Sequence, residues 1–187
     1  MAAVLSSDMD KTDKVVTLSD ECARRGLAVE PPDVNASQFM FTVSGTRAIR
    51  YGLGAIKGVG QAAVESMLAE RTVRGPFRDL RDLCRRLDLN RVNRRVLEAL
   101  IRSGALDSLG VNRATCMHQL PAAMQAAEQQ SRAQAAGQVD RFGLAVAAPA
   151  ADEPAVPGER LPEWSEPVRL AGERETLGLY LTGHPIT

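Results

Sequence analysis

The run Ile49-Arg50-Tyr51-Gly52-Leu53-Gly54-Ala55-Ile56-Lys57-Gly58-Val59-Gly60-Gln61-Ala62-Ala63-Val64-Glu65-Ser66-Met67-Leu68 constrains the fold most. At its middle, two glycines flank one aliphatic residue and a series of helix formers follows. Glycine takes positive φ without a Cβ penalty, so Gly58-Val59-Gly60 can turn the chain tightly and leave Val59 free to point inward. Beyond the turn Ala63, Val64, Met67, Leu68 and Arg71 recur at helical spacing, with the apolar positions on one side. The run predicts helix, hairpin, helix. Gly52 and Gly54 make the first helix short and intrinsically poor, so packing has to stabilise it.

The geometry has a chemical consequence. The first backbone N–H groups of the second helix lack intrahelical partners and carry the positive end of the helix dipole, which suits a phosphate. Gly58 and Gly60 put no side chain in its way, and Lys57 adds a mobile charge. The turn Lys57, Gly58, Val59, Gly60 and Gln61 is thus a candidate seat for one phosphodiester, holding a nucleic-acid backbone without reading bases. The structural alternative is a plain turn between packed helices.

Charge distribution bears on that choice. The net charge is zero, yet residues 1–46 carry 4 basic and 7 acidic side chains, residues 47–113 carry 14 and 7, and residues 114–187 carry 5 and 9. A basic middle around the turn matches what a polyanion would need. Arg91, Arg94 and Arg95 can reach phosphates from the start of a helix capped by Asn93. Arginine in a first helical turn opposes the dipole, which favours a functional reading of that placement. Cys22, Cys84 and Cys116 are odd in number and far apart, so they indicate reduced, buried thiols rather than a disulfide framework or zinc site. His118 and His184 are isolated and read as structural. No signal peptide or membrane-spanning run is apparent, and the expectation is a cytoplasmic protein with no membrane partner.

In chain order, residues 1–5 read as the last turns of a helix that begins elsewhere. Asp10 is a candidate cap for a helix burying Val15, Val16, Leu18, Cys22 and Ala23. Leu27-Ala28-Val29 is a short strand candidate. Phe39-Met40-Phe41-Thr42-Val43 and Ala48-Ile49-Arg50-Tyr51 are strand-like and joined by Ser44-Gly45-Thr46. Leu80, Leu83, Cys84 and Leu87 mark a helix with Arg78, Arg81, Arg85 and Arg86 on its wet side. Val96, Leu97, Leu100 and Ile101 face a core in the next. Asn112 begins a long helix reaching about Ala136, in which Pro121 is a kink or a boundary. Residues 145–163 are Ala, Pro, Gly and acidic residues without periodicity, a flexible linker. Helix character returns at Glu166. The fold class expected is mainly α with a small β-hairpin.

At the end of the long helix stands Gln138-Val139-Asp140-Arg141-Phe142-Gly143-Leu144. Gln138, Asp140 and Phe142 fit a short peptide that docks an aromatic side chain into a partner's pocket. Burying one Phe is worth roughly 1.5 to 3 kcal/mol, so such a peptide acts by tethering.

Several motifs occur in one order across the chain: Leu5-Ser6-Ser7-Asp8-Met9-Asp10 with Lys14-Val15-Val16, then Pro31-Pro32-Asp33-Val34-Asn35, Tyr51-Gly52-Leu53-Gly54-Ala55-Ile56-Lys57-Gly58-Val59-Gly60 and Gly75-Pro76-Phe77. They continue with Asn93-Arg94-Arg95-Val96-Leu97-Glu98-Ala99-Leu100-Ile101, Gly104-Ala105-Leu106-Asp107 and Gly172-Glu173-Arg174-Glu175-Thr176-Leu177-Gly178-Leu179-Tyr180-Leu181-Thr182-Gly183-His184-Pro185. With these the chain resembles the alpha subunits of bacterial DNA polymerase III, the replicative polymerase, over essentially its whole length.

The resemblance implies the end of the fingers at 1–26, a helix-hairpin-helix DNA-binding module at 27–110, a helix and clamp-binding peptide at 111–144, the linker at 145–163 and the start of a following domain at 164–187. It implies as partners duplex DNA, the ring-shaped sliding clamp and other polymerase III holoenzyme subunits. In the family an aliphatic residue precedes the Phe of the clamp peptide; here it is Arg141, which cannot enter an apolar subpocket without desolvation cost. The carboxylates that would hold two Mg²⁺ for nucleotidyl transfer lie outside these residues, so no cofactor, metal site or catalytic residue is expected here, and the piece alone should not polymerise DNA. The alternative is a replisome interaction module that does not touch DNA; failure to bind DNA at any salt concentration would favour it. An independent nuclease or ligase finds no metal-ligand cluster or activated nucleophile.

Overall fold

A computed structural model describes residues 1–9, 11–139 and 159–183. The order is α1 (Ala2–Ser7), α2 (Thr12–Arg24), β1 (Ala28–Glu30), β2 (Thr42–Gly45), β3 (Ala48–Arg50), a 3-10 turn (Leu53–Ala55), α3 (Gln61–Arg74), α4 (Leu80–Arg86), α5 (Arg94–Arg102), a second 3-10 turn (Asp107–Leu109), α6 (Arg113–Val139) and α7 (Glu166–Leu177). The mainly α architecture with a small β element is as expected.

The sheet has one strand more than a hairpin. β3 is central, parallel to β1 and antiparallel to β2, with an irregularity between Val43 and Gly45. Phe39 to Phe41 does not join it, because the carbonyls of Gln38 and Phe39 accept the Leu53 and Gly54 amides at 2.9 Å. That segment lies so close that a Cβ on Gly52 would stand 2.6 Å from the Phe39 carbonyl oxygen, and one on Gly54 would enter the Phe39 ring. These two glycines, which weaken a helix intrinsically, are required by close packing.

Helix α2 starts at Lys11 without a side-chain cap, and Asp10 lies outside the described residues. Val15, Ser19 and Cys22 form its buried stripe, whereas Ala23, expected inside, is exposed. In α3 the buried residues are Ala63, Val64 and Met67, and Arg71 donates from Nη1 to the Val34 and Ser37 carbonyls at 2.9 and 2.8 Å. Asp79 caps α4 through the Asp82 amide at 2.7 Å.

Arg86 is not on the wet side of α4. Its guanidinium is buried, donates to the Glu70, Gly75 and Pro76 carbonyls and to Asp82, and lies 4.5 Å from the Phe77 ring centroid. The return of the chain after Gly75 creates those acceptors, so helical spacing alone could not reveal them.

Helix α6 packs on α4 and α5 through Cys116, Leu120, Ala123 and Ala127, and continues through Pro121 as one helix. All three cysteines are free and buried; burial pushes the Cys84 thiol up to about 12 and Cys116 to about 11. The stretch expected to be linker is tied down from Leu161: its N–H and C=O bond to Thr115 and Asn112, and Glu163 accepts the Arg113 and Ala114 amides at 3.1 Å. A carboxylate suits the positive end of α6. Helix α7 packs on α5.

Candidate nucleic-acid interface

The hairpin turn is built from two buried apolar residues and an exposed backbone. Ile56 and Val59 are inside, while Lys57, Gly58, Gly60 and Gln61 are exposed. The Val59 amide closes the turn on the Ile56 carbonyl at 3.1 Å. Gly58 has φ +94°, where a side chain is strained, and its Cβ position would lie 3.6 Å from the Ala99 methyl of α5. The turn therefore lies beside the Ala99 methyl.

Gly60 is the N-cap of α3, with extended φ −78° and ψ 162° and no side-chain cap. A Cβ there would meet nothing within 4 Å. The first intrahelical bond runs from the Val64 amide to the Gly60 carbonyl. The amides of Gln61, Ala62 and Ala63 therefore reach the N-terminus without a partner among the described residues. The expected first helix is the single 3-10 turn Leu53–Ala55, and its packing against the Phe39 segment supplies what its glycines deny.

The predicted side chains divide into two sets. Lys57 makes no ion pair among the described residues, and neither does Arg95, which stands one turn ahead of Ala99 on the α5 face that Gly58 touches. Arg94 instead pairs with Glu98 at 3.0 Å, Arg91 lies 4.0 Å from Asp88, and the Gln61 carboxamide bonds to Glu65 at 2.8 Å. Gln138 falls in the last turn of α6, which from Ser131 to Gly137 is exposed throughout; Asp140 and Phe142 lie outside the described residues.

A second turn has the same plan. Residues 87–93 connect α4 to α5 and make the turn at 89–93; Val92 is fully buried where the first turn has Val59, and Asn93 occupies the cap position where the first has Gly60. Here the cap is filled, because the Asn93 side-chain oxygen accepts the Val96 amide at 3.1 Å.

A buried ionic cluster behind the turns went unforeseen. Arg113 is 2% exposed and Glu173 0%, and they pair at 3.0 Å; Arg113 also pairs with Asp107 at 2.9 Å. Burial alone would push the Glu173 carboxyl up, but the Thr182 hydroxyl, the Leu181 and Thr182 amides and Arg113 outweigh it and hold Glu173 below the usual glutamate range. A signal was present in the spacing: Leu170, Glu173 and Leu177, like Arg113, Cys116 and Leu120, put a charge on an apolar stripe.

A buried valine that turns the chain into an uncapped helix, beside Lys57 and Arg95 that make no ion pair among the described residues, defines a helix-hairpin-helix module. The family model described as "Helix-hairpin-helix motif" matches residues 26–116. Over its full length the chain is 53% identical to the DNA polymerase III subunit alpha of Vibrio cholerae and 51% identical to that of Escherichia coli K12, covering 16% of each relative. It is 49% identical to the same subunit of Pseudomonas aeruginosa, covering 17% of it. The chain belongs to the DNA polymerase III alpha-subunit family and spans about a sixth of the length of these relatives.

Proposed function

We propose that the chain grips the backbone of duplex DNA as part of a cytoplasmic, DNA-directed DNA polymerase acting in chromosomal replication, and that residues 138–142 tether it to the sliding clamp within the polymerase III holoenzyme. The observation that carries the DNA reading is the open N-terminus of α3: no side chain at Gly60 and, among the described residues, three unpartnered amides with Lys57 and Arg95 outside any ion pair. Backbone donors and a helix dipole recognise a phosphate and carry no base information, so binding is independent of sequence.

The test is a titration of two unrelated duplexes of equal length over a series of salt concentrations. Equal affinities are expected, with log K falling linearly in log salt by about 0.9 for each phosphate neutralised. Affinity that is flat in salt would contradict the reading. For the tether, calorimetric titration with the clamp should show binding that Phe142→Ala abolishes; no binding by the parent would remove this part of the proposal.

The described residues do not form a two-Mg²⁺ site. Among the described residues no group of three His, Cys, Asp or Glu side chains converges, and the buried carboxylates of Asp82 and Glu173 are taken up by arginine and amide donors.

A further inference from the structure

The turn that seats the phosphate is held from behind by the far end of the chain. The Lys57 amide donates to the Thr176 carbonyl at 2.8 Å. The Tyr51 hydroxyl donates to the Leu177 carbonyl at 3.0 Å, with the Ala55 carbonyl at 3.4 Å. Thr176 and Leu177 are the last two residues of α7, where carbonyls have no intrahelical donor. Both are therefore satisfied by residues that bracket the 3-10 turn, one just before it and one just after.

Helix α7 is itself fixed. The buried Glu173 binds Arg113 at the start of α6 and the Leu181–Thr182 segment that follows α7. Gly172 brings the α7 backbone so close to α5 that a Cβ would stand 3.4 Å from the Arg102 Cβ and carbonyl oxygen. A fixed α7 fixes the plane of the Lys57 peptide, and with it the direction in which the chain enters Gly58.

The geometry points to α7 as a positioning element for DNA binding, with Tyr51, Arg113 and Glu173 as positioning residues that hold the 57–61 backbone in the register a phosphate requires. This rests on the DNA reading above. None of the three touches DNA; each acts through the hydrogen bonds behind the turn. Anything that displaces residues 178–183 is thereby transmitted to the DNA seat through Glu173 and the α7 carbonyls.

The experiment compares the parent with Tyr51→Phe in the full-length subunit carrying these residues, by salt-titrated duplex binding and by amide hydrogen exchange. Tyr51→Phe keeps the ring that packs on Phe41 at 4.8 Å and removes only the hydroxyl. Affinity should fall three- to tenfold at every salt concentration with the salt slope unchanged, since no phosphate contact is removed, whereas Lys57→Ala should lower the slope by about one. Exchange should quicken in a peptide covering 53–62 and stay constant elsewhere.

Thr182→Val removes an exposed hydroxyl that donates to Glu173 at 2.6 Å; it should shift affinity two- to threefold the same way and serves if Tyr51→Phe does not fold. Parent-like DNA binding by both variants would overturn the proposal, as would exchange that rises uniformly, the mark of a merely structural role. A parent that fails to bind DNA defeats the DNA reading itself, and the parent titration alone separates that failure from failure of the positioning.

Discussion

The turn at 56–60 and the turn at 89–93 share a plan and differ in how they end. Each buries a valine and delivers the chain to a helix start, with Val59 and Gly60 in one and Val92 and Asn93 in the other. In the first the helix terminus is left open and exposes backbone dipoles, with the turn hydrogen-bonded to the end of α7. In the second, a side chain closes the terminus, and the charge rests on Arg91, Arg94 and Arg95, two of which face Asp88 and Glu98. The same local fold can thus offer a shaped seat for one phosphate or a set of mobile charges. The seat should be sensitive to any atom placed in it, and the charges should act additively and be screened by salt.

The largest expected effect lies behind the first turn. Among the described residues only that turn bonds to α7, so Glu173→Gln should speed exchange at 53–62 and spare 89–96. It should also cost roughly 1.5 to 3 kcal/mol, because the charge-assisted hydrogen bonds of Glu173 to Arg113 and to the Leu181–Thr182 segment are weakened while Asp107 still pairs with Arg113. Denaturant unfolding with peptide-resolved exchange checks both.

The pH sign follows from the depressed Glu173 value. Its contribution is fully present above the ordinary glutamate pKa, about 4.3, and is lost as pH falls through the lower folded value. Acid unfolding of the parent should therefore be steeper than that of Glu173→Gln.

Asn93→Ala should lower stability by about 1 kcal/mol through loss of the cap, with a salt slope for DNA binding equal to the parent's. A changed slope would mean that Asn93 shapes a phosphate site as Gly60 does, and the contrast between the turns would shrink. The smallest effect separates the arginines. Arg95→Ala should reduce the slope by about one, and Arg94→Ala by less because Glu98 already neutralises it.

What the sequence revealed follows the range of the forces involved. The α3 stripe, the Asn93 cap and the turn at Gly58 depend on neighbours within a few residues, and all three are present. Arg86 and Arg113 are long-range cases. Each looks like a solvated helical cation until the chain returns, Arg86 over Phe77 and the carbonyls near Gly75, Arg113 between Asp107 and Glu173.

Phe39 and Phe41 have strand propensity, but hydrogen bonding to the 3-10 turn overrides it. Leu161 and Glu163 sit in a stretch of linker composition and are tied down only because Asn112, Thr115 and the first amides of α6 need partners. For the candidate site, Lys57 and Gly60 were legible as chemistry, whereas the division between Arg95 and its paired neighbours required coordinates.

The most direct test of the open-terminus seat is Gly60→Asp. The backbone there is already extended and a Cβ meets nothing, so aspartate fits and can cap α3, as Asn93 caps α5. Its carboxylate would then occupy the place proposed for the phosphate. Measured together, thermal stability should be unchanged or slightly higher while duplex affinity at low salt falls tenfold or more. Parent-like DNA binding by a folded Gly60→Asp would contradict the account.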